Sequence, residues 1–278
     1  MSSFPHAIDW SKASLVLAGH GSLYNSEAAL PVYINAEKIR NKKLFENVYE
    51  TFWKEEPSFH QTLLSIPSSF IYVVPFFLSH GFFTAKVIPA EMGIEGPMTR
   101  MGKKMVHYCR AVGENPRVSE LIIEAINRAI DFKMASSILS ESALLLVSHG
   151  TKKNVHSKET TYLHWNILQK KGIFKECHVF FLEEEPRISS WKEYVRSKYI
   201  FAVPFFISEG DHSYVDVPKL MGIKKSLRTS PISYPQDVEG RYVWYTKAVG
   251  TMEGMEQVIL EQVVAFDESF GKVAKVAF

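Results

Sequence analysis

Ala18-Gly19-His20-Gly21-Ser22 recurs as Val147-Ser148-His149-Gly150-Thr151, and the two histidines stand 129 positions apart. Outward from that stretch the offset holds. Asn25 returns as Asn154, Glu55-Glu56-Pro57 as Glu184-Glu185-Pro186, Val74-Pro75-Phe76-Phe77 as Val203-Pro204-Phe205-Phe206, Pro89 as Pro218, and Met92-Gly93-Ile94 as Met221-Gly222-Ile223. The register slips only near the end of the copy. There Tyr108 and Ala111-Val112-Gly113 reappear as Tyr245 and Ala248-Val249-Gly250, 137 positions on, which places an eight-residue insertion in the second copy. Solenoid repeats have periods of roughly 20–50 residues, so a period this long marks a duplicated domain. The expected domains are residues 1–138 and 139–278, joined through the serine-rich stretch 136–142.

Within each copy the pattern alternates. Leu15 to Ala18 and Leu144 to Val147 are short, continuous apolar runs that end in glycine-containing turns, as expected for strands covered on both faces of a parallel sheet. A helical segment, 27–44, follows Asn25-Ser26, residues suited to capping. Second strands are predicted at 45–53 and 178–182, third strands at 70–74 and 199–203, and fourth strands at 105–109 and 242–245. Pro57 and Pro186 stand where the second helices are expected to begin, since proline suits the first helical position. Helical tracts 117–134 and 253–266 are expected to close their own copies. The fold class is therefore α/β: two tandem domains, each a small open parallel β-sheet flanked by helices, with a cleft between them. Ligands of such sheets bind beyond the carboxyl ends of the strands. That rule selects the loop after the first strand, with His20 or His149, and the loop after the third, 78–83 or 207–212.

Composition narrows the function classes. The 278 residues are 46% hydrophobic and 22% charged, typical of globular chains. The 32 basic and 30 acidic residues nearly cancel, so no global field points to nucleic acid. Local pairs such as Lys152-Lys153 and Lys224-Lys225 remain candidates for meeting an anion. Cys109 and Cys177 form no C-x-x-C motif and read as small buried residues, so no disulfide and no iron-sulfur cluster is expected. The stretch Met1 to His6 lacks the basic and apolar regions of a signal peptide, and no run approaches 18 apolar residues. No membrane partner and a cytoplasmic location are expected. A Gly-x-x-x-x-Gly-Lys loop is absent, which predicts no ATP use.

Histidine at the same place in both copies, each time after a strand and before glycine, points to function rather than packing. The second copy adds Ser208-Glu209-Gly210-Asp211-His212, a carboxylate and an imidazole three apart. Together these donors suit borderline divalent ions such as iron, cobalt, nickel or zinc. His149, Glu209 and His212 would form an incomplete shell that leaves coordination positions for water or substrate. The bland reading is a helix cap by Asp211 beside a surface His212. In the first copy Glu209 corresponds to His80, His212 to Phe83 and Asp216 to Val87, which leaves His20 with His80 as a poorer two-histidine site. The second half is expected to be the better equipped. The first is then an auxiliary metal site or a wall of the substrate cleft.

The combination of an apolar strand, Gly-His-Gly or Ser-His-Gly, a Glu-Pro pair, a strand ending Val-Pro-Phe-Phe, a loop Gly-x-His and an Asp-Val-Pro run resembles the class II chelatases. These are the sirohydrochlorin cobaltochelatases and ferrochelatases, related to protoporphyrin ferrochelatase, and the resemblance covers nearly all of each copy. It implies insertion of a divalent metal (cobalt, iron or nickel) as substrate into a tetrapyrrole without ATP, in cobalamin or siroheme biosynthesis. By position it implies His149, His212 and His20 as metal ligands and Glu209 as a catalytic glutamate, whereas His80 has no firm counterpart. His149 would act as ligand and base, with Glu209 and His212 completing metal capture. In familiar two-domain members the complete pair lies in the amino-terminal half; here it lies in the carboxy-terminal half. Expected partners are the tetrapyrrole, with Lys152, Lys153, Lys86 or Arg228 anchoring its carboxylates, and neighbouring enzymes of the pathway. The alternative is a non-catalytic tetrapyrrole or metal carrier, motivated by Phe83 and Val87. A histidine phosphatase is a remote alternative, because Gly19 and Ser148 stand where such enzymes place a phosphate-clamping arginine.

Overall fold

The computed structural model describes residues 9–130, 135–150, 156–223 and 235–270. Thr151 to Asn154, Lys224-Lys225 and Arg228 lie outside the described residues. The first repeat runs β1 (Ala13–Gly19), α1 (Leu30–Asn41), β2 (Asn47–Phe52), α2 (Phe59–Ser65), β3 (Phe70–Pro75), α3 (Ile88–Met92), β4 (Met98–Met101), β5 (Lys104–Tyr108) and α4 (Arg117–Ala129). After α5 (Ala135–Leu139) the second runs β6 (Ser142–Ser148), α6 (His156–Lys170), β7 (Glu176–Phe181), α7 (Trp191–Tyr194), β8 (Tyr199–Pro204), α8 (Val217–Met221), β9 (Gln236–Val238), β10 (Arg241–Tyr245) and α9 (Met255–Phe270).

Each sheet has five strands, ordered β2-β1-β3-β5-β4 and β7-β6-β8-β10-β9. The apolar runs that open each repeat become β1 and β6, buried at every position and flanked on both sides by parallel partners. This is the α/β architecture expected, with a cluster such as Val16, Phe59, Ile71, Val73 and Val106 under one sheet and Leu145, Phe180, Trp191, Ile200 and Val243 under the other. Among the described residues no helix is long and apolar enough to cross a membrane.

Four expectations are corrected. The sheets are not wholly parallel, because β4 and β9 are antiparallel edge strands hairpinned onto β5 and β10. Pro57 and Pro186 do not open helices: each carbonyl accepts the amide of the preceding strand's last residue, Phe52 or Phe181 at 2.9 Å, which turns the chain back and delays the helix. The serine-rich stretch is not a loose linker, since α5 and the start of β6 occupy most of it.

The fourth correction concerns the closing helices, which are exchanged. One compact unit runs to Asn115 and takes the chain back from Glu256, whereas the other runs from Pro116 to Met255. In the first unit α9 is locked by Asp267, whose carboxylate accepts from Trp10 Nε1 at 3.0 Å and from Tyr72 OH at 2.6 Å. Phe266 stacks on His107 at 5.0 Å, and Gln262 donates to the Ala111 carbonyl. In the second unit α4 is held by a buried 2.8 Å hydrogen bond between Ser119 and His164 Nδ1, and by Lys171 with Glu120 at 2.7 Å. The halves 1–138 and 139–278 thus partition the sequence repeats, while the compact units follow the exchanged helices.

Candidate functional site

In both units the chain crosses from one side of β1 or β6 to the other between β2 and β3, or β7 and β8. The loops after β1 and β3, and after β6 and β8, therefore meet at the topological switch point, where open α/β sheets bind ligands. Gly21 and Gly150 follow the loop histidines with φ of +66°, and a Cβ there would come within 2.8 Å of Glu55 or 2.7 Å of Phe181. Only glycine satisfies both the left-handed turn and the close approach. The second residue after β2 or β7 lies beside the histidine: Lys54 N–H donates to the His20 carbonyl at 3.0 Å, and Glu183 N–H to the His149 carbonyl at 3.1 Å.

The loop after the third strand is held from below. Gly113 and Gly250 donate to the carbonyls of Phe77 and Phe206 at 3.0 Å, and a Cβ on either would lie 2.0 or 1.9 Å from a loop carbonyl oxygen. Each loop then winds into one π-helical turn, Phe83–Val87 and His212–Asp216, closed by the amides of Ile88 and Val217 on the carbonyls of Phe83 and His212. Pro89 and Pro218 come next and have no N–H to give. The carbonyls of Thr84 and Ser213, five residues back, instead take the hydroxyls of Tyr108 and Tyr245, both at 2.7 Å. Burial raises the pKa of both phenols, so they remain donors. This scaffold is the same in both units, and π turns of this kind frequently mark functional sites.

The second unit's mouth gathers side chains that could hold a cation. His149 and His212 lie with ring centroids 4.8 Å apart. His212 Nδ1 is 2.6 Å from Asp216 Oδ2; a carboxylate accepts, so the ring donates Nδ1–H to it and Nε2 is the nitrogen left to meet an ion. His149 Nδ1 faces Glu183 Oε1 at 3.6 Å. A carboxylate behind each imidazole is the arrangement that orients histidine for metal binding. Both rings are half exposed, at 45% and 52%, and so reachable by an ion. Glu209 is not gathered with them: its Oε1 accepts from Ala248 N–H at 2.8 Å and from Thr251 Oγ1 at 3.2 Å, tying the loop to the turn after β10. Among the described residues no three His, Cys, Asp or Glu side chains form a ready metal cage.

In the first unit the same frame carries different side chains. Phe83 takes the place of His212 and packs edge-on to His20 at 4.9 Å and to Trp53 at 5.0 Å, and it stacks on Phe77 at 5.7 Å. His20 donates Nδ1–H to the Gly21 carbonyl at 2.8 Å. His80 turns towards Glu114, 4.0 Å away, rather than joining His20 as a ligand pair. Glu114 accepts from Ala111 N–H, as Glu209 does from Ala248 N–H, so the carboxylate that caps this turn has changed chain position between the copies. Lys86 stands exposed on the π turn.

Of the expected set, the structure brings His149 and His212 together in the second unit, where Glu209 Oε1 is taken up by Ala248 and Thr251, while in the first unit His80 turns towards Glu114. Sequence reading missed Glu183. Its signal was a charge reversal at the fixed offset, Lys54 against Glu183, visible only once that position was known to touch the histidine loop.

Comparison with known proteins agrees with this architecture. The CbiX family model matches twice, over residues 14–129 and 143–265. A probable sirohydrochlorin cobaltochelatase of Halobacterium salinarum is 34% identical over 266 residues, 90% of each chain. Among solved structures, the multi-domain protein DR2241 of Deinococcus radiodurans, described as similar to chelatases with two additional domains, superposes with a TM-score of 0.77 at 24% identity. That match covers 91% of this chain and 55% of the other. The sirohydrochlorin chelatase SirB of Bacillus subtilis subspecies spizizenii, solved with cobalt, gives a TM-score of 0.63 at 16% identity over 92% and 96% of the two chains.

Proposed function

The chain belongs to the CbiX family, and from that premise we propose that it is a metal chelatase that inserts cobalt or iron into a sirohydrochlorin-type tetrapyrrole. The observation that carries the reading is the His149–His212 pair with a carboxylate behind each ring, at the switch point of a half-exposed mouth.

The reaction exchanges one divalent ion for two pyrrole N–H protons. His149 and His212 hold the ion, with Asp216 fixing the tautomer of one ring and Glu183 facing the other. As the ion passes to the ring nitrogens, each imidazole loses its metal and its Nε2 becomes free to accept a proton, so the two ligands leave with the two protons and charge balances. This gives His149 the double role of ligand and base. Glu209, tethered through Oε1 to the turn after β10, holds the His212 loop in place. The step needs no ATP and no iron-sulfur cluster in this reading, because the ion carries its own driving force in bond formation to four nitrogens.

Anaerobic incubation with sirohydrochlorin and cobalt, iron or nickel, followed by the visible spectrum of the macrocycle, tests it. Catalytic turnover with at least one ion is the expected result. A stoichiometric complex that never turns over would identify a carrier instead.

A further inference from the structure

The loop that carries His212 is rooted at two places, and one exchanged helix reaches both. The first root is Phe205-Phe206, where β8 ends: Phe205 N–H donates to the Val147 carbonyl at 2.7 Å, and the Phe206 ring lies 6.1 Å from that of His212. The second is the turn 248–251. There Gly250 N–H donates to the Phe206 carbonyl at 3.0 Å, while Ala248 N–H and the Thr251 hydroxyl hold Glu209. Helix α4 belongs to the first repeat in sequence but to the second unit in space. Its buried Ser119 is 2.8 Å from His164 Nδ1, and the buried His164 ring lies 5.3 Å from Phe205. Two residues along, buried Leu121 backs the segment that follows the turn so closely that a Cβ on Gly254 would come within 2.8 Å of its Cδ2. The helix also packs on residues 249–251 themselves. In the first unit the corresponding side chains do something else. Asn35, at the place of His164, donates to the Pro31 carbonyl of its own helix at 2.7 Å, and Glu256, at the place of Ser119, pairs with Lys38.

We propose that α4 positions His212 for the ion, with Ser119, Leu121 and His164 as positioning residues, so that the second unit's site depends on residues of the first repeat. This rests on the chelatase reading, which supplies the ion that His149 and His212 must reach together. Two donors hold an ion only when both arrive at bonding distance, and a loop hung from two roots shifts when either is loosened. Truncating Leu121 opens a cavity behind the turn into which it relaxes. Removing the Ser119 hydroxyl takes from the buried imidazole the partner that orients it against Phe205.

The test uses the full chain and Co²⁺ alone. Calorimetry reads its affinity, visible absorption reads the coordination of the bound ion, and chemical denaturation reads stability. Leu121→Ala, and independently Ser119→Ala and His164→Asn, are expected to lower Co²⁺ affinity by about tenfold or more and to alter the spectrum of the bound ion. Gln262→Ala is the matched control in the other closing helix, since Gln262 donates to the Ala111 carbonyl in the first unit. It is expected to cost stability yet leave Co²⁺ affinity within about twofold and the spectrum unchanged. Should Leu121→Ala fail to fold, Ser119→Ala, which removes a single oxygen, decides. If the wild type binds Co²⁺ and the α4 variants bind it equally well with the same spectrum, or if Gln262→Ala weakens it as much as they do, the inference is overturned and the chelatase reading stands. A wild type that neither binds Co²⁺ nor inserts metal into a tetrapyrrole overturns the reading itself.

Discussion

At the mouth of the second unit two imidazoles lie 4.8 Å apart, each with a carboxylate behind it; at the same place in the first unit a phenylalanine packs 4.9 Å from the histidine inside an aromatic cage. The backbone frame beneath these side chains is shared. Both loops have the left-handed glycine, the π turn, the proline without an amide and the tyrosine hydroxyl that answers the stranded carbonyl. The frame is fixed because each part satisfies a backbone group that burial would otherwise leave unpaired. Side chains that project from the frame into the mouth carry no such obligation and are where the copies have parted.

The largest expected effect tests that division directly. His149→Ala or His212→Ala removes a ligand outright, so metallation should fall by more than the roughly 10–100-fold that loss of a supporting carboxylate costs. Initial rates of metal insertion measure it, and a variant that keeps half its rate would move the metal site elsewhere. Asp216→Asn should come next, with Co²⁺ affinity lower by about 10–100-fold, because the imidazole loses its charged acceptor and its preferred tautomer. Calorimetric titration reads this. Val87→Asp in the first unit should gain nothing, since Phe83 offers no imidazole for the new acid to orient.

A third difference lies inside the units. His107 in β5 is 4% exposed among Tyr72 and Phe266, its Nδ1 has no partner among the described residues, and burial lowers its pKa to about 4. The equivalent in β10 is Trp244, stacked on Phe201 at 4.9 Å. With the folded value depressed, the unfolded chain takes up the proton first. Stability from this site is therefore whole above about pH 6.5 and lost as pH falls towards 4, by about 2 kcal/mol at pH 5. Asp267, whose pKa is raised chiefly by burial, works in the opposite direction at the acid end of that window. Chemical denaturation of wild type and His107→Phe at pH 7.5 and pH 5 isolates the histidine; equal pH dependence in the two would remove it from the account. Smallest of all, His20→Ala should leave Co²⁺ affinity within about twofold, because the rings around that histidine offer a cation no second ligand. A tenfold loss would show that the first mouth still holds metal.

Much of this was legible in the chain. Continuous apolar runs ending at Gly19 and Ser148 mark strands buried on both faces, and two such strands in one register mean two parallel sheets. The edge strands β4 and β9 escaped notice because they are four and three residues long, too short for alternation to register. The histidine pair was legible because each partner follows a strand at the edge where ligands bind. Its carboxylates were less so: Asp216 is four residues along a π turn that no periodicity announces, and Glu183 approaches from another strand altogether.

By itself the sequence determined the duplication, the four parallel strands of each copy and the loops that meet at the mouth, because each follows from local patterning repeated at a constant offset. The tertiary structure alone decided that α4 and α9 change places, since an apolar helix face buries equally well on either of two homologous sheets and its sequence names neither. It also decided that Glu209 ties down a turn while Glu183 and Asp216 stand behind the imidazoles. A carboxylate does the same chemistry wherever it is offered, and only the packed chain fixes which donor reaches it first.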